Sequence, residues 1–191
     1  MAAKMDRRVK YTLEVIESSF LELMQQKPLS HITVKELCQK ADINRSTFYA
    51  HYEDLSALLN AIQDRIIYDA EEMLNTYDYT QDTEALVMTT RLMTYLSDNQ
   101  RNSQTLFSDH GDTVFQRKLI TMAHRHLIQS FTADPAIHED RHVDYLSTFI
   151  TQGSIAMIQH WLQKGMKETP EEIAVIITRI AKAGIDDLMN Q

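Results

Sequence analysis

The sequence predicts an all-α protein, and three of its features do so. Ala, Leu, Ile, Met, Glu and Gln dominate the 191 residues, with only 4 Gly and 3 Pro, a composition that favours helices over sheets. Apolar residues recur at steps of three and four along most of the chain, the period of an amphipathic helix. Good helix-start residues (Thr33, Asp54, Asp82, Thr169) stand just before those periodic segments. The length is enough for a sizeable core in one or two domains.

The first helix is expected over about Asp6 to Gln26. Val9, Leu13, Ile16, Phe20 and Leu23 form its apolar stripe at steps of 4, 3, 4 and 3. Lys27-Pro28 ends it, because a residue before proline avoids helical geometry. Residues 28–32 link it to the next element, and Ile32 closes the core of a three-helix unit.

Thr33 to Tyr52, TVKELCQKADINRSTFYAHY, reads as two short helices around a tight turn. Thr33 caps the first, with Glu36 three residues on as a capping box requires. Val34, Leu37 and Ala41 mark its buried face. Asp42 stops it, since Asp tolerates the left-handed backbone of a sharp helix end. Ile43 plugs the corner and Asn44 caps the second helix, about Arg45 to His51. That helix buries Phe48 and Tyr52, leaving Arg45, Ser46, Thr47, Tyr49 and His51 pointing outward. A row of short hydrogen-bonding groups with a guanidinium, a phenol and an imidazole suits base edges and phosphates. A helix-turn-helix works this way, its second helix lying in the major groove. The candidate DNA-facing residues are therefore Thr33 and Lys35, which open the first motif helix, and Arg45, Ser46, Thr47, Tyr49 and His51 on the second.

This stretch resembles the DNA-binding domain of the TetR/AcrR family of bacterial transcriptional regulators. The resemblance rests on Thr33-Val34, Leu37-Cys38, Ala41-Asp42-Ile43, Ser46-Thr47-Phe48-Tyr49 and His51-Tyr52, followed by Leu58-Leu59. Two positions depart from the family pattern. Asp42 stands where the family usually has Gly, at a modest backbone cost. Leu55 stands where it usually has a lysine that touches a phosphate, so the resemblance implies one missing backbone contact and weaker or more salt-sensitive docking. It also implies a homodimer whose C-terminal domain holds a ligand cavity.

Beyond the motif, Asp54 caps a long helix from about Leu55 to Asn75. Its apolar positions Leu55, Leu58, Leu59, Ile62, Ile66, Tyr68 and Met73 cover more than one side, as a helix joining two domains should. Residues 77–81 read as a loop. Asp82 then caps a helix that runs to about Asp98, with Leu86, Met93 and Leu96 inward. Residues 99–102 break the chain's helical course, Ser103 to Phe107 is a short turn, and 108–112 is a loop. Thr113 to Phe131 carries Val114, Phe115, Leu119, Met122, Ala123, Leu127 and Phe131. The last two helices are expected over about Glu139–Lys164 and Pro170–Met189, divided by Gly165 and by Thr169-Pro170-Glu171-Glu172, with proline at the first helical position.

Leu146, Ile150, Gly153, Met157 and Trp161 form a stripe on the first of these two helices. Ile173, Ile177, Ile180, Gly184 and Leu188 form one on the second. Either both stripes pack onto their own chain or they meet a second copy. The resemblance favours the second, a four-helix bundle, and makes Ile150, Gly153, Met157, Trp161, Ile177, Ile180 and Gly184 candidate interface residues. Residues 149–166 and 169–172 also look like the C-terminal domain of Gram-positive members of the family.

The formal net charge of −8 is divided unevenly. Residues 1–52 carry eight Lys/Arg against six Asp/Glu; residues 53–191 carry eleven against twenty-one. A DNA binder needs only local positive charge facing phosphates. Lys4, Arg7, Arg8 and Lys10 are either a DNA-contacting arm or a solvated terminus. The single cysteine, Cys38, excludes an intrachain disulfide and reads as a small core residue before a redox sensor. No apolar run approaches the length of a membrane span, and the basic N-terminus lacks the apolar region of a signal peptide; a cytoplasmic location without membrane attachment is expected.

Other signals are weaker. His124 and His126 point to different helix faces. His138 and His142 could share one, but two ligands do not make a metal site. His160 lines a pocket or lies on the surface. Ten Met residues, among them Met88, Met93, Met122 and Met157, either line a cavity for a flexible apolar ligand or fill the core. No phosphate loop, nucleophile elbow or zinc-protease motif is present, so neither an enzyme nor a cofactor is expected. The expected organisation is a helix-turn-helix domain at 1–52 and a ligand-sensing and dimerisation domain at 53–191. The expected function is a ligand-responsive regulator, a repressor by family default, binding a pseudo-palindromic DNA operator as a homodimer. Its small-molecule effector is unidentified. Alternatives are an activator controlled by a partner protein, or a helical interaction module that has lost DNA binding.

Overall fold

The structure is a computed structural model that describes residues 7–76, 82–108, 113–133 and 143–189. Among these residues it is helical and contains no strand: α1 (Arg7–Met24), α2 (Val34–Lys40), α3 (Arg45–Tyr49), α4 (Leu55–Leu74), α5 (Asp82–Asp98), α6 (Gln100–Leu106), α7 (Thr113–Ala133), α8 (Val143–Gln163) and α9 (Pro170–Met189). A single 3-10 turn, Leu29–His31, links α1 to α2.

The expected stripe of α1 deepens along the helix. Ile16, Phe20 and Leu23 are buried, with Leu37, Phe48 and Leu58 in the same core cluster. Ile32 is buried as well, closing the three-helix unit. α1 packs on α2 and on α6; α4 packs on α5 and α7. α5 runs along α9, α6 meets α8, and α7, α8 and α9 pack in succession. Burying this much apolar surface is what holds the layers together, at about 25 cal/mol per Å2 removed from water.

Several boundaries differ from those expected, each for a local reason. α3 stops at Tyr49, because the His51 N–H bonds to the Phe48 carbonyl at 3.0 Å and tightens the last turn. The break after α5 is confined to Asn99, and α6 begins at Gln100. Tyr68 and Val114 are outward, 62% and 55% exposed; their neighbours supply the burial. α8 begins at Val143 within the described residues, and Glu139, His138 and His142 lie outside them, as does Lys4. The loop expected at 77–81 also lies outside, as does the one expected at 108–112 apart from Ser108.

The α8–α9 joint shows how backbone chemistry ends a helix. Gly165 has φ +82°, and the Met166 N–H returns to the Trp161 carbonyl at 2.9 Å, the six-to-one bond of a Schellman cap. The Trp161 indole N–H donates to the Glu168 carbonyl at 2.9 Å. Thr169 and Glu172 then make a complete capping box: the Thr169 N–H donates to the Glu172 carboxylate at 2.8 Å, and the Glu172 N–H to Thr169 Oγ1 at 3.2 Å.

Candidate nucleic-acid interface

The turn between α2 and α3 uses the same device with an unusual residue. Ala41 ends α2, Asp42 takes φ +52°, and the Ile43 N–H bonds to the Cys38 carbonyl at 3.0 Å. Asp supplies the left-handed position that Gly most often fills. Ile43 packs half-buried against the core, so the corner is plugged as expected. Asn44 stands at the N-cap of α3, but its side chain makes no capping bond.

Thr33 caps α2, its Oγ1 accepting from the Glu36 N–H at 3.2 Å. The reciprocal half of the expected capping box is replaced. The Glu36 carboxylate instead accepts from Lys27 Nζ at 2.7 Å on both oxygens. An ammonium is a stronger partner for a carboxylate than an uncharged backbone N–H.

Phe48, wholly buried, fixes α3 on the core. Its ring meets Tyr49 edge-on at 5.4 Å and Tyr52 tilted at 5.9 Å between centroids. With Phe48 inward, the helical period turns Ser46 and Tyr49 outward; Arg45 is exposed at the first position of α3, and His51 follows just beyond the helix. All four are exposed, Tyr49 by 55%. Thr47 is half-buried at the edge of this face. Thr33 and Lys35 are exposed at the start of α2.

The ion pairs sharpen the electrostatics of the unit. Lys27 is neutralised by Glu36, and Lys40 by Glu22 at 2.8 Å. Lys35 and Arg45 make no ion pair among the described residues, and so they carry the positive charge of the exposed face. Arg45 lies near enough to Cys38 to oppose the rise that burial imposes on the thiol. Cys38 itself is 4% exposed, a core residue. Leu55, in the place of the family lysine, packs half-buried against the core. Hence it has no charged head to offer a phosphate.

In the remainder of the chain, two groups of expected site residues are separated. Trp161 and Ile177 are buried within their own protomer, 2% and 8% exposed, and Met157 packs against the same core. Ile150, Gly153 and Gly184 are half-buried, while Ile180 is 52% exposed. A Cβ added at Gly184 would stand 3.3 Å from Leu146 Cδ1 of the same chain. The close approach that this glycine permits is therefore intramolecular. Reading each stripe as a single face concealed the outward Tyr145 and Phe149 on α8 and Ile176 on α9, which are exposed together with Ile180 of the expected stripe.

The interior polar groups are mostly satisfied locally. Ser147, fully buried, donates to the Asp144 carbonyl at 3.0 Å and lies 3.1 Å from His124 Nε2. His126 is buried, and burial together with the Arg125 charge pushes its imidazole pKa below the ordinary value. His160 is exposed on the surface. Met93 and Met122 lie in the core cluster. Among the described residues, no group of three or more His, Cys, Asp or Glu could hold a metal ion, and no helix is long and apolar enough to cross a membrane.

Sequence reasoning missed Glu17 and Arg65. Glu17 on α1 accepts from Tyr52 Oη at 3.3 Å and from both terminal nitrogens of Arg65 on α4, Nη1 at 3.2 Å. No local pattern marks this pair, because its members are 48 residues apart.

Comparison with known proteins agrees with the fold. Residues 83–183 match a TetR family model described as "Transcriptional regulator C-terminal region". The chain is 32% identical over 97 residues to the HTH-type dhaKLM operon transcriptional activator DhaS of Lactococcus lactis subsp. lactis (strain IL1403), covering 50% of this chain and 49% of that protein. It is 35% identical over 63 residues to the uncharacterised HTH-type transcriptional regulator YxbF of Bacillus subtilis (strain 168), covering 32% of this chain and 17% of that one. The matches thus span about half or less of these curated relatives. In fold, it is similar to a TetR transcriptional regulator from Streptococcus agalactiae 2603V (TM-score 0.62, 23% identity) and to the dihydroxyacetone kinase operon activator DhaS (TM-score 0.59, 24% identity). Each comparison covers 92% of this chain and 96% of the other. With a family model matching more than half of its length, the chain belongs to the TetR family of transcriptional regulators.

Proposed function

We propose that residues 1–52 read DNA and that residues 53–191 sense an effector and pair two copies of the chain. The observation that carries this reading is the α3 face: Arg45, Ser46, Tyr49 and His51 exposed over a buried Phe48, with Lys35 and Arg45 outside any described ion pair. Arg45 is the candidate for a bidentate guanine contact, the commonest specific pairing. Tyr49 reaches a base edge or phosphate, Thr47 borders the same groove, and His51, Thr33 and Lys35 dock the backbone. Two copies pair through the outward row on α8 and α9, including Phe149, Ile176 and Ile180, with the half-buried Ile150 and Gly153 beside it. A small molecule that fits one spacing of the reading helices better than another changes DNA affinity by its differential affinity for the two states. The protein acts in the cytoplasm, where its operator is.

Repression is the family default for such a device. Activation is the second reading, favoured by the similarity to the Lactococcus relative, an operon activator. Selection from a random DNA pool with the full chain, followed by transcription from a promoter bearing the selected site, tests both. A pseudo-palindrome with half-sites about 34–36 Å apart, or a multiple, is expected. No enrichment of any sequence at low salt would reject DNA reading in favour of a helical interaction module. Transcription rising on addition of the protein would favour activation.

A further inference from the structure

Two carboxylates of α1 cross the boundary between the DNA-facing unit and the helices behind it. Glu22 pairs with Lys40 of α2 at 2.8 Å and with Arg101 of α6 at 3.2 Å. Glu17 holds Tyr52, just past α3, and Arg65 of α4. They are not equivalent. Glu22 and Arg101 side chains are 39% and 76% exposed, and water screens such a pair. The Glu17 side chain is only 14% exposed and receives a two-pronged guanidinium, the geometry that resists screening best. Burial and the Glu17 charge push the Tyr52 phenol pKa up to about 12, so it stays a donor to Glu17 at neutral pH.

Each end of this relay leads to something that matters. The Tyr52 N–H bonds to the Phe48 carbonyl at 3.0 Å, and the two rings pack together. A displaced Tyr52 therefore carries Phe48 and the α3 face with it. At the other end, Arg65 lies one turn before Asp69, whose carboxylate accepts from Tyr95 Oη of α5 at 2.8 Å. α5 runs along α9. We propose that Glu17 is a positioning residue: through the Arg65–Glu17–Tyr52 relay it ties the orientation of the reading helix to the position of α4. One carboxylate cannot follow two partners that separate, so a shift of α4 that withdraws the Arg65 fork releases the constraint on Tyr52. The inference rests on the proposal that α3 faces DNA.

The test uses the full chain with the operator enriched by the wild type, and the variants Tyr52→Phe, Arg65→Gln and their combination. Tyr52→Phe keeps the ring on Phe48 and removes only the hydroxyl. Each single variant is expected to weaken operator binding roughly tenfold, within the usual range of coupling between sites, while binding to random DNA stays within about twofold and the protein stays folded. The double variant is expected to lose no more than a single one, because both act through one carboxylate. A roughly hundredfold loss in the double, or equal weakening on operator and random DNA, would overturn the relay. Hydrogen exchange supplies a readout that needs no DNA. Arg65→Gln should speed exchange of the amides at 48–52, and unchanged protection there would also overturn it. If the wild type enriches no DNA but exchange still rises, the relay stands and the DNA reading falls.

Discussion

Thr33 and Thr169 carry the same local signal, Thr followed three residues later by Glu, and the protein treats them differently. Thr169–Glu172 forms both bonds of a capping box; Thr33 forms one, because Lys27 claims Glu36. The cap was legible in the sequence, but the competitor nine residues away was not. The exposed row of α3 was legible for a related reason. Once Phe48 is inward, a 3.6-residue period dictates where Ser46 and Tyr49 point. On the proposed reading each of them touches DNA, which is a matter for mutation. Arg45→Ala should relax specificity at one position of each half-site and cost about 1–3 kcal/mol on the preferred sequence. Titration against operators altered one base at a time measures this. Uniform weakening on every sequence would make Arg45 a phosphate contact instead.

At the level of the helix, α9 has the bounds that its cap and period announce, Pro170–Met189, and α5 ends at Asp98 as expected but takes in Asp82, expected as its cap. The faces of α8 and α9 were harder to read, because both helices are apolar on two sides. Ile173 and Ile177 turn inward, whereas Ile176 and Ile180 turn outward; periodicity gives two stripes without saying which meets its own chain. The glycines separate these roles. At Gly184 a side chain larger than Ala must displace Leu146 of the same protomer, so Gly184→Leu should destabilise the fold by about 1–3 kcal/mol through overpacking. A Cβ at Gly153 meets nothing within 4 Å. In an isolated chain Gly153→Ala should therefore gain up to about 1 kcal/mol from helix propensity. Thermal unfolding across a range of protein concentration distinguishes the settings. Stabilisation that turns into loss at concentrations where dimers form would place residue 153 at a tight intermolecular seam. Stabilisation at every concentration would place it on an open surface.

Across the whole molecule, the proposed DNA-reading face and an acidic remainder are compatible only if the second is kept from the DNA. Residues 53–191 carry a surplus of ten acidic groups. Pairing two chains through α8 and α9 would direct both reading helices to one duplex and hold the acidic helices behind them. The outward apolar residues that would make this seam include Phe149, 69% exposed, and Ile180, 52% exposed. Each makes little of the protomer's own core, so Phe149→Lys and Ile180→Lys should change protomer stability by no more than about 0.5 kcal/mol. In a closed seam, however, each lysine meets its two-fold copy or another apolar surface, and burying an unpaired charge is costly. Sedimentation should show the double variant monomeric at concentrations where the wild type is a dimer. Affinity for a full operator should then collapse toward that for a half-site, because the two half-sites are no longer bound by one particle. Binding to an isolated half-site should be unchanged, which separates loss of pairing from damage to α3. A double variant that remains dimeric and binds the full operator as the wild type does would show that the two copies meet elsewhere.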